Sequence, residues 1–237
     1  PTGKLLEVLS NNAFRNRLCE YSFRQSEYFS LDNLAKNALK IWEDGYKIKK
    51  TISCRQQNHK PKLAFISPLP PERTGIANYS AELLPELAKY YDIEIVVAQE
   101  RVDIPWVNKY YNIRSVGWLI KNINQVDRVI YQMGNSHFHA YMLDLMDKIP
   151  GVVVLHDFYL SGLMSWLELI AGYHHAWSQQ LYLSHGYRAM QERIKNIDCA
   201  KNKFPVNWHV LQKSLGVIVH SDYAKKLARL VDRKSVV

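Results

Sequence analysis

The chain lacks most features that would set it apart from ordinary globular proteins. It has three cysteines in 237 residues, Cys19, Cys54 and Cys199, far apart and odd in number. No C-x-x-C pair occurs, which excludes a zinc knuckle and a disulfide framework and makes a reducing compartment the default. No apolar run approaches the ~18 residues of a membrane-spanning helix. Pro1 to Ser10 lacks the basic-then-apolar layout of a secretory signal. The chain also opens without an initiator methionine, so it is expected to be a piece of a longer polypeptide. The dinucleotide fingerprint G-x-G-x-x-G, the phosphate loop G-x-x-x-x-G-K-[ST] and the elbow G-x-S-x-G are missing, which counts against nicotinamide, flavin, P-loop and serine-hydrolase chemistry. No D-x-D occurs, so the acidic clamp of a metal-bound nucleotide diphosphate is not expected.

What is present is an ordinary core composition. Hydrophobic residues make up 47% and charged residues 22%, which excludes intrinsic disorder, collagen and coiled coil as overall classes. The length suits one large domain, or a domain plus a fragment, at ~100–200 residues each. Basic residues outnumber acidic ones 31 to 22, a net charge of +9. Such a surface favours phosphates, nucleic acid or anionic lipid. There is no long Arg/Lys block and no nucleic-acid motif, so nucleic acid is not an expected partner.

Residues 1–46 read as helical. Asn11 or Asn12 can cap a first helix running to about Tyr28. Ser30 can cap a second, whose Leu31, Leu34, Ala35, Ala38 and Trp42 share a face, with Gly45 as its stop. Residues 47–60 are basic, polar and aperiodic, a linker by composition.

At Pro61 the character changes to alternating strands and helices. Strands are expected at Lys62–Ser67, Asp92–Ala98, Asn112–Val116, Asp127–Gln132, Gly151–Leu155 and Leu215–His220. Helices are expected after Gly75, with Pro85 kinking the first, near Leu119, after a Ser136 cap, over one long stretch 158–213, and at Tyr223–Leu230. The strands are apolar throughout rather than alternating, which is the mark of a parallel sheet buried on both faces. The expected fold is therefore α/β, a doubly wound parallel sheet with an N-terminal helical extension.

Ligands of such sheets sit beyond the carboxyl ends of the strands. That rule selects Pro68–Ile76, Gly134-Asn135-Ser136, His156-Asp157 and Ser221-Asp222. Gly75 and Ile76 open a helix whose unpaired N–H groups suit a phosphate or a sugar hydroxyl; the bland alternative is a plain turn. His156 can hydrogen-bond a hydroxyl or move a proton, and Asp157 can orient it or cap the next helix. Gly134 and Asn135 can present backbone and amide to a ligand, or form an ordinary turn. Ser221 reads more readily as a helix cap than as a contact. His137, His139, His174, His175 and His185 do not complete a metal set, because neighbouring helical positions diverge and no carboxylate or cysteine joins them. The aromatics of 158–213 read as core before they read as stacking platforms.

Four segments taken together are similar to the N-terminal half of a family 4, GT-B fold glycosyltransferase: KLAFISPLPPERTGIANYSAELLPELAKYYDIEIV, VIYQMGNSHFHAYMLDLM, PGVVVLHDFYLSGL and GVIVHSDYAKKLA. They cover about residues 61–237 and follow the family's order. The resemblance implies two Rossmann-like domains across a cleft, the first binding mainly the acceptor. It implies sugar transfer from a nucleotide-sugar donor to a glycan or lipid-linked acceptor, with retention and without a metal or other cofactor. Gly75 and Ile76 match the family's glycine-rich loop, with Asn78 and Tyr79 beside it. Gly134 and Asn135 match a cleft-lining turn, His156 the histidine after the fourth strand, and Ser221 a strand-end serine. The loop here has one glycine where many members have two. The E-x7-E motif and the Lys/Arg pair that grips the diphosphate belong to the family's second domain, so this fragment alone is expected to have little activity.

SNNAFRNRLCEYSFRQSEYFSLDNLAKNALKIWE resembles the last two helices of another such enzyme, which implies a tandem arrangement. The expected organisation is a helical tail at 1–46, a linker at 47–60 and the acceptor-side domain at 61–237. The expected setting is cytoplasmic, at the inner face of the membrane, where anionic lipid attracts the basic surface. The alternative from another class is a sugar- or phosphate-binding module without chemistry.

Overall fold

The computed structural model describes residues 11–28, 30, 32–33, 35–37, 39–40 and 60–231. The expected linker at 47–60, apart from Lys60, lies outside them, as do Gly45 and the face residues Leu31, Leu34, Ala38 and Trp42.

Helix α1 (Asn12–Tyr28) is capped by Asn11, whose Oδ1 accepts from Phe14 N–H at 3.0 Å. Ser30 Oγ accepts weakly from Asn33 N–H at 3.4 Å, and residues 32–33, 35–37 and 39–40 are helical. This second segment packs on the domain that follows. Ala35 is 1% exposed within the same apolar cluster as Leu63, Phe65, Leu84 and Ile93, and Leu39 packs against it.

Six strands form one parallel sheet: β1 (Lys62–Ile66), β2 (Asp92–Val97), β3 (Asn112–Ser115), β4 (Arg128–Met133), β5 (Val152–Leu155) and β6 (Gly216–Val219). Their order is β3-β2-β1-β4-β5-β6, with every pair parallel. The fold is α/β, Rossmann-like and doubly wound. The apolar runs work as the sequence suggests, because alternate residues serve two separate cores. Leu63 and Phe65 of β1 face one cluster, Ala64 and Ile66 the other. Val152 and Val154 of β5 divide from Val153 and Leu155 in the same way.

The first face is covered by α2 (Gly75–Leu87) and α3 (Pro105–Tyr110), which bring in Leu83, Leu84, Leu87 and Val107. Each buried leucine there contributes about 2 kcal/mol. Pro85 lies within α2, yet the helix runs two residues past it to Leu87. A proline in the final turn removes one hydrogen bond near an end that was fraying anyway.

The second face is covered by α4 (Val116–Asn122), α5 (Ala140–Lys148), α6 (Ser161–Leu169), α7 (Ala176–Lys195), α8 (Ile197–Lys203), α9 (Trp208–Lys213) and α10 (Asp222–Val231). The expected single stretch over 158–213 is thus four helices. Their joints hold the left-handed residues Gly172 and His175, and Gly186 kinks α7 at φ 69°. Ser136 does not cap α5. Its hydroxyl bonds the His139 ring instead, and a short turn, His137–His139, precedes the helix.

Candidate functional site

In a sheet of this order the connection reverses direction between β1 and β4, which opens a crevice at their carboxyl ends. The structure has a cleft of about 500 Å³ there, lined by Thr74, Gly75, Ile76, Tyr79, Asn135, Ser136, His156 and Asp157. The loops after β1, β4 and β5 meet in it.

Thr74 shapes the first wall. Its Oγ1 accepts from Ile76 N–H at 3.3 Å and its carbonyl from Ala77 N–H at 3.1 Å, which caps α2. The Gly75 N–H has no protein partner among the described residues, so a donor and the positive end of a 13-residue helix meet the cleft. A Cβ built on Gly75 would meet nothing within 4 Å, and Gly75 is absent from the residues with positive φ. Neither packing nor backbone geometry requires glycine at this position.

Gly134 is the opposite case. A Cβ there would lie 2.2 Å from Ile76 Cδ1 and 3.0 Å from His139 Cε1. Only a glycine lets Ile76 and His139 close over the end of β4.

Asn135 and Asp157 tie the second wall together. Asp157 Oδ2 accepts from the Asn135 N–H at 2.8 Å, and Asn135 Oδ1 accepts from the Leu163 N–H at 2.9 Å. Asn135 therefore caps α6 from another loop, because Leu160, at the cap position, offers no side-chain bond. Asp157 neither bonds His156 nor caps α6. Its carboxylate is exposed, and its Oδ1 has no hydrogen-bond partner among the described residues.

His156 is part of a partly buried chain. Its Nε2 lies 2.7 Å from Gln132 Oε1, and its Nδ1 lies 3.0 Å from His220 Nε2. A carbonyl oxygen only accepts, so His156 Nε2 carries the proton and His220 Nε2–H donates to His156 Nδ1. The Tyr79 ring stands edge-on to both imidazoles, 4.8 Å and 5.8 Å between centroids. Burial, reinforced by the neighbouring histidines, pulls the His156 pKa down to about 3. Burial likewise lowers His139 to about 4 and lowers His220, with the Asp157 charge opposing both shifts. Burial pushes the Tyr79 phenol up. All four are neutral near pH 7.

The cleft thus gathers Gly75, Ile76, Tyr79, Asn135, His156 and Asp157, with Gly134 packed behind Ile76. Asn78 is exposed on α2 and does not line it. Ser221 is exposed outside it and caps α10, its Oγ accepting from Ala224 N–H at 3.1 Å. Three residues of the assembly were not singled out as site residues from the sequence: Gln132, His139 and His220. His220 ends β6 just as His156 ends β5, so the strand-end rule points to both. Gln132 had a weaker signal, a polar residue inside an otherwise apolar strand.

No group of three or more His, Cys, Asp or Glu side chains among the described residues is arranged to hold a metal ion. No helix among them is long and apolar enough to cross a membrane. Comparison of the chain with protein-family models, curated proteins and solved structures returns no match. The cleft offers a ligand the Gly75 N–H, the Asn135 amide and the Asp157 carboxylate beside an aromatic ring, and no lysine or arginine lines it. That set suits a ligand bearing hydroxyls better than a bare polyanion.

Proposed function

We propose that the cleft is the acceptor-side wall of a retaining, nucleotide-sugar-dependent glycosyltransferase of the GT-B type. The observation that carries this reading is Gly75. It opens α2 at the β1/β4 crevice, its Cβ direction is empty, and nothing in the fold itself requires a glycine there. A ligand pressed against the backbone accounts for it.

In this reading the α2 N-terminus and the Asn135 amide donate to ligand oxygens, and Asp157 Oδ1 accepts from a sugar hydroxyl. His156 is a positioning residue, because both ring nitrogens are already engaged. Positioning and electrostatics carry the barrier reduction. The cations that stabilise a departing diphosphate come from a facing domain. A lipid-linked acceptor at an anionic membrane belongs to the same proposal. It is supported by the net charge of +9 and by Lys225, Lys226 and Arg229 on α10.

One observation favours the other class, a binding module without chemistry. His156 is locked between Gln132 and His220, and Asp157 Oδ2 is held by the Asn135 N–H, so no imidazole nitrogen in the cleft lining is left open to move a proton. Titration with UDP-glucose, GDP-mannose and each free nucleotide, followed by amide chemical shifts, tests both readings. Shifts at Thr74–Tyr79 and Asn135–Asp157 with the nucleotide sugars support a sugar-handling cleft. Turnover on adding the facing domain then selects the enzyme over the module. No shift at those residues with any of the probes overturns the transferase reading.

A further inference from the structure

A smaller, more apolar pocket opens beside the cleft. It holds about 260 Å³ between the loop after β5, the middle of α7, the loop before α9 and the first turns of α10. Asp157 lines the cleft and its neighbour Phe158 lines the pocket, so one loop at the carboxyl end of β5 serves both. Tyr223, just past β6, closes the other side. Both residues follow the strand ends at which doubly wound sheets hold their ligands.

The walls are braced against one another. Leu160 N–H donates to the Pro205 carbonyl at 2.7 Å, the Ser161 hydroxyl to the Phe204 carbonyl, and Asn207 Nδ2 to the Phe158 carbonyl at 2.8 Å. Val206 N–H donates to His185 Nε2 at 3.2 Å. Val206 is fully buried at φ 51°, a left-handed conformation that a β-branched residue rarely adopts. Such conformations persist where the surroundings over-determine them, and they cluster at ligand sites. Here the left-handed residue stands between Pro205 and Asn207, which both line the pocket.

The lining selects the ligand. Phe158, Tyr159, Trp208 and Tyr223 are aromatic, Pro205 and Leu227 are aliphatic, and no charged side chain joins them. Asp222 and Lys226, next in sequence to Tyr223 and Leu227, are exposed outside it. The remaining polar side chains are spent elsewhere. His185 accepts at Nε2 from Val206, which requires a neutral ring. Asn207 is 2% exposed and its amide holds the Phe158 carbonyl. The Ser184 hydroxyl oxygen is buried behind the surface. An anion would find no cation in this lining, and a sugar would find no carboxylate or open amide for its hydroxyls. A planar ring enters without ordering a string of rotatable bonds. It also meets rings to stack on or stand edge-on to, as Tyr159 does to Phe158 at 6.2 Å between centroids. At about 30 Å³ per water-sized group the volume takes about nine non-hydrogen atoms, the size of a fused bicyclic ring.

We propose that this pocket is a binding site for a neutral aromatic group of one or two rings. The proposal does not depend on the transferase reading of the cleft.

The test is an amide and indole chemical-shift titration of the full chain with indole, 1-naphthol, n-octanol and glucose. At least one of the two aromatic probes is expected to shift Tyr159, His185, Trp208 and Tyr223 while leaving Thr74–Tyr79 unmoved, and to bind about fivefold or more tighter than n-octanol. Tyr223 is 69% exposed, so Tyr223→Leu leaves the fold in place and removes a ring while keeping an apolar side chain. It is expected to weaken the aromatic probe about fivefold and to leave n-octanol unchanged. Tyr159→Leu repeats the comparison from the opposite wall. The proposal is overturned if neither aromatic probe shifts these residues, or if n-octanol or glucose binds there as tightly as the better ring. It is equally overturned if both variants hold the ring at full affinity.

Discussion

His220 Nε2 lies 3.0 Å from His156 Nδ1, which joins the ends of β6 and β5 beneath the cleft. Together with the 2.7 Å contact from His156 Nε2 to Gln132 Oε1, it closes a chain across three adjacent strands. The chain requires neutral rings, because a second proton on His156 would have no acceptor at Nδ1.

That requirement makes stability depend on acidity. His156 and His139 titrate at about 3 and about 4 in the native state, while an unfolded histidine takes its proton near 6.5. Between those limits the unfolded chain binds more protons, so stability is complete above about pH 6.5 and falls as pH drops toward about 4. Each buried histidine contributes on the order of 1 kcal/mol of lost stability per unit of acidification. Urea midpoints measured from about pH 7 down to about pH 5 should decline accordingly. His156→Gln should flatten the decline, and an unchanged slope in that variant contradicts the chain described here.

The two glycines of the site make opposite predictions. Gly75→Ala places its methyl in open space at the start of a helix, so the folding midpoint should hold or rise, by up to about 1 kcal/mol. If the space belongs to a ligand, affinity for a nucleotide sugar should fall about tenfold. Gly134→Ala drives a methyl into Ile76 and His139, and stability should drop by about 1–3 kcal/mol. Chemical denaturation and the same titration separate the two outcomes. A destabilised Gly75→Ala would show that its glycine serves the fold.

The N-terminal helical segment is expected to support the domain it precedes. Ala35 is buried at 1% in the first core cluster. Ala35→Glu would place a carboxylate there without a partner, and should lower stability by on the order of 3 kcal/mol. Urea unfolding followed by circular dichroism measures this directly. A neutral result would mean that the segment lifts away from the sheet freely.

Much of this arrangement was readable from residue order. GVVVL and KLAFI name buried parallel strands because no polar residue interrupts them, and the strand-end rule then reaches Gly75, Asn135 and His156. The stretch 158–213 resisted, because apolar periodicity continues across short joints. Its breaks depend on backbone conformations such as the left-handed His175, a residue that carries no turn signal. The roles inside the site were less legible. Asp157 follows His156 directly in sequence, yet its carboxylate reaches across to the Asn135 backbone and not to the imidazole. The partner of His156 is His220, 64 residues away, and only the sheet order makes them neighbours.

Asn135 allows structure and ligand binding to be separated at one position. Its Oδ1 caps α6 through the Leu163 N–H, while its Nδ2 has no protein partner among the described residues and is free for a ligand oxygen. Asn135→Ala removes both groups and should cost about 1 kcal/mol of stability along with affinity. Asn135→Asp keeps the capping oxygen, and its charge suits a helix N-terminus, so stability should be retained. The donor is gone, however, and a carboxylate now stands beside Asp157, so affinity for a hydroxyl-rich or phosphorylated ligand should fall about tenfold or more. Thermal melting and calorimetric titration of the two variants give the comparison. Full affinity in Asn135→Asp would remove this amide from the set of ligand contacts and leave it a purely structural cap.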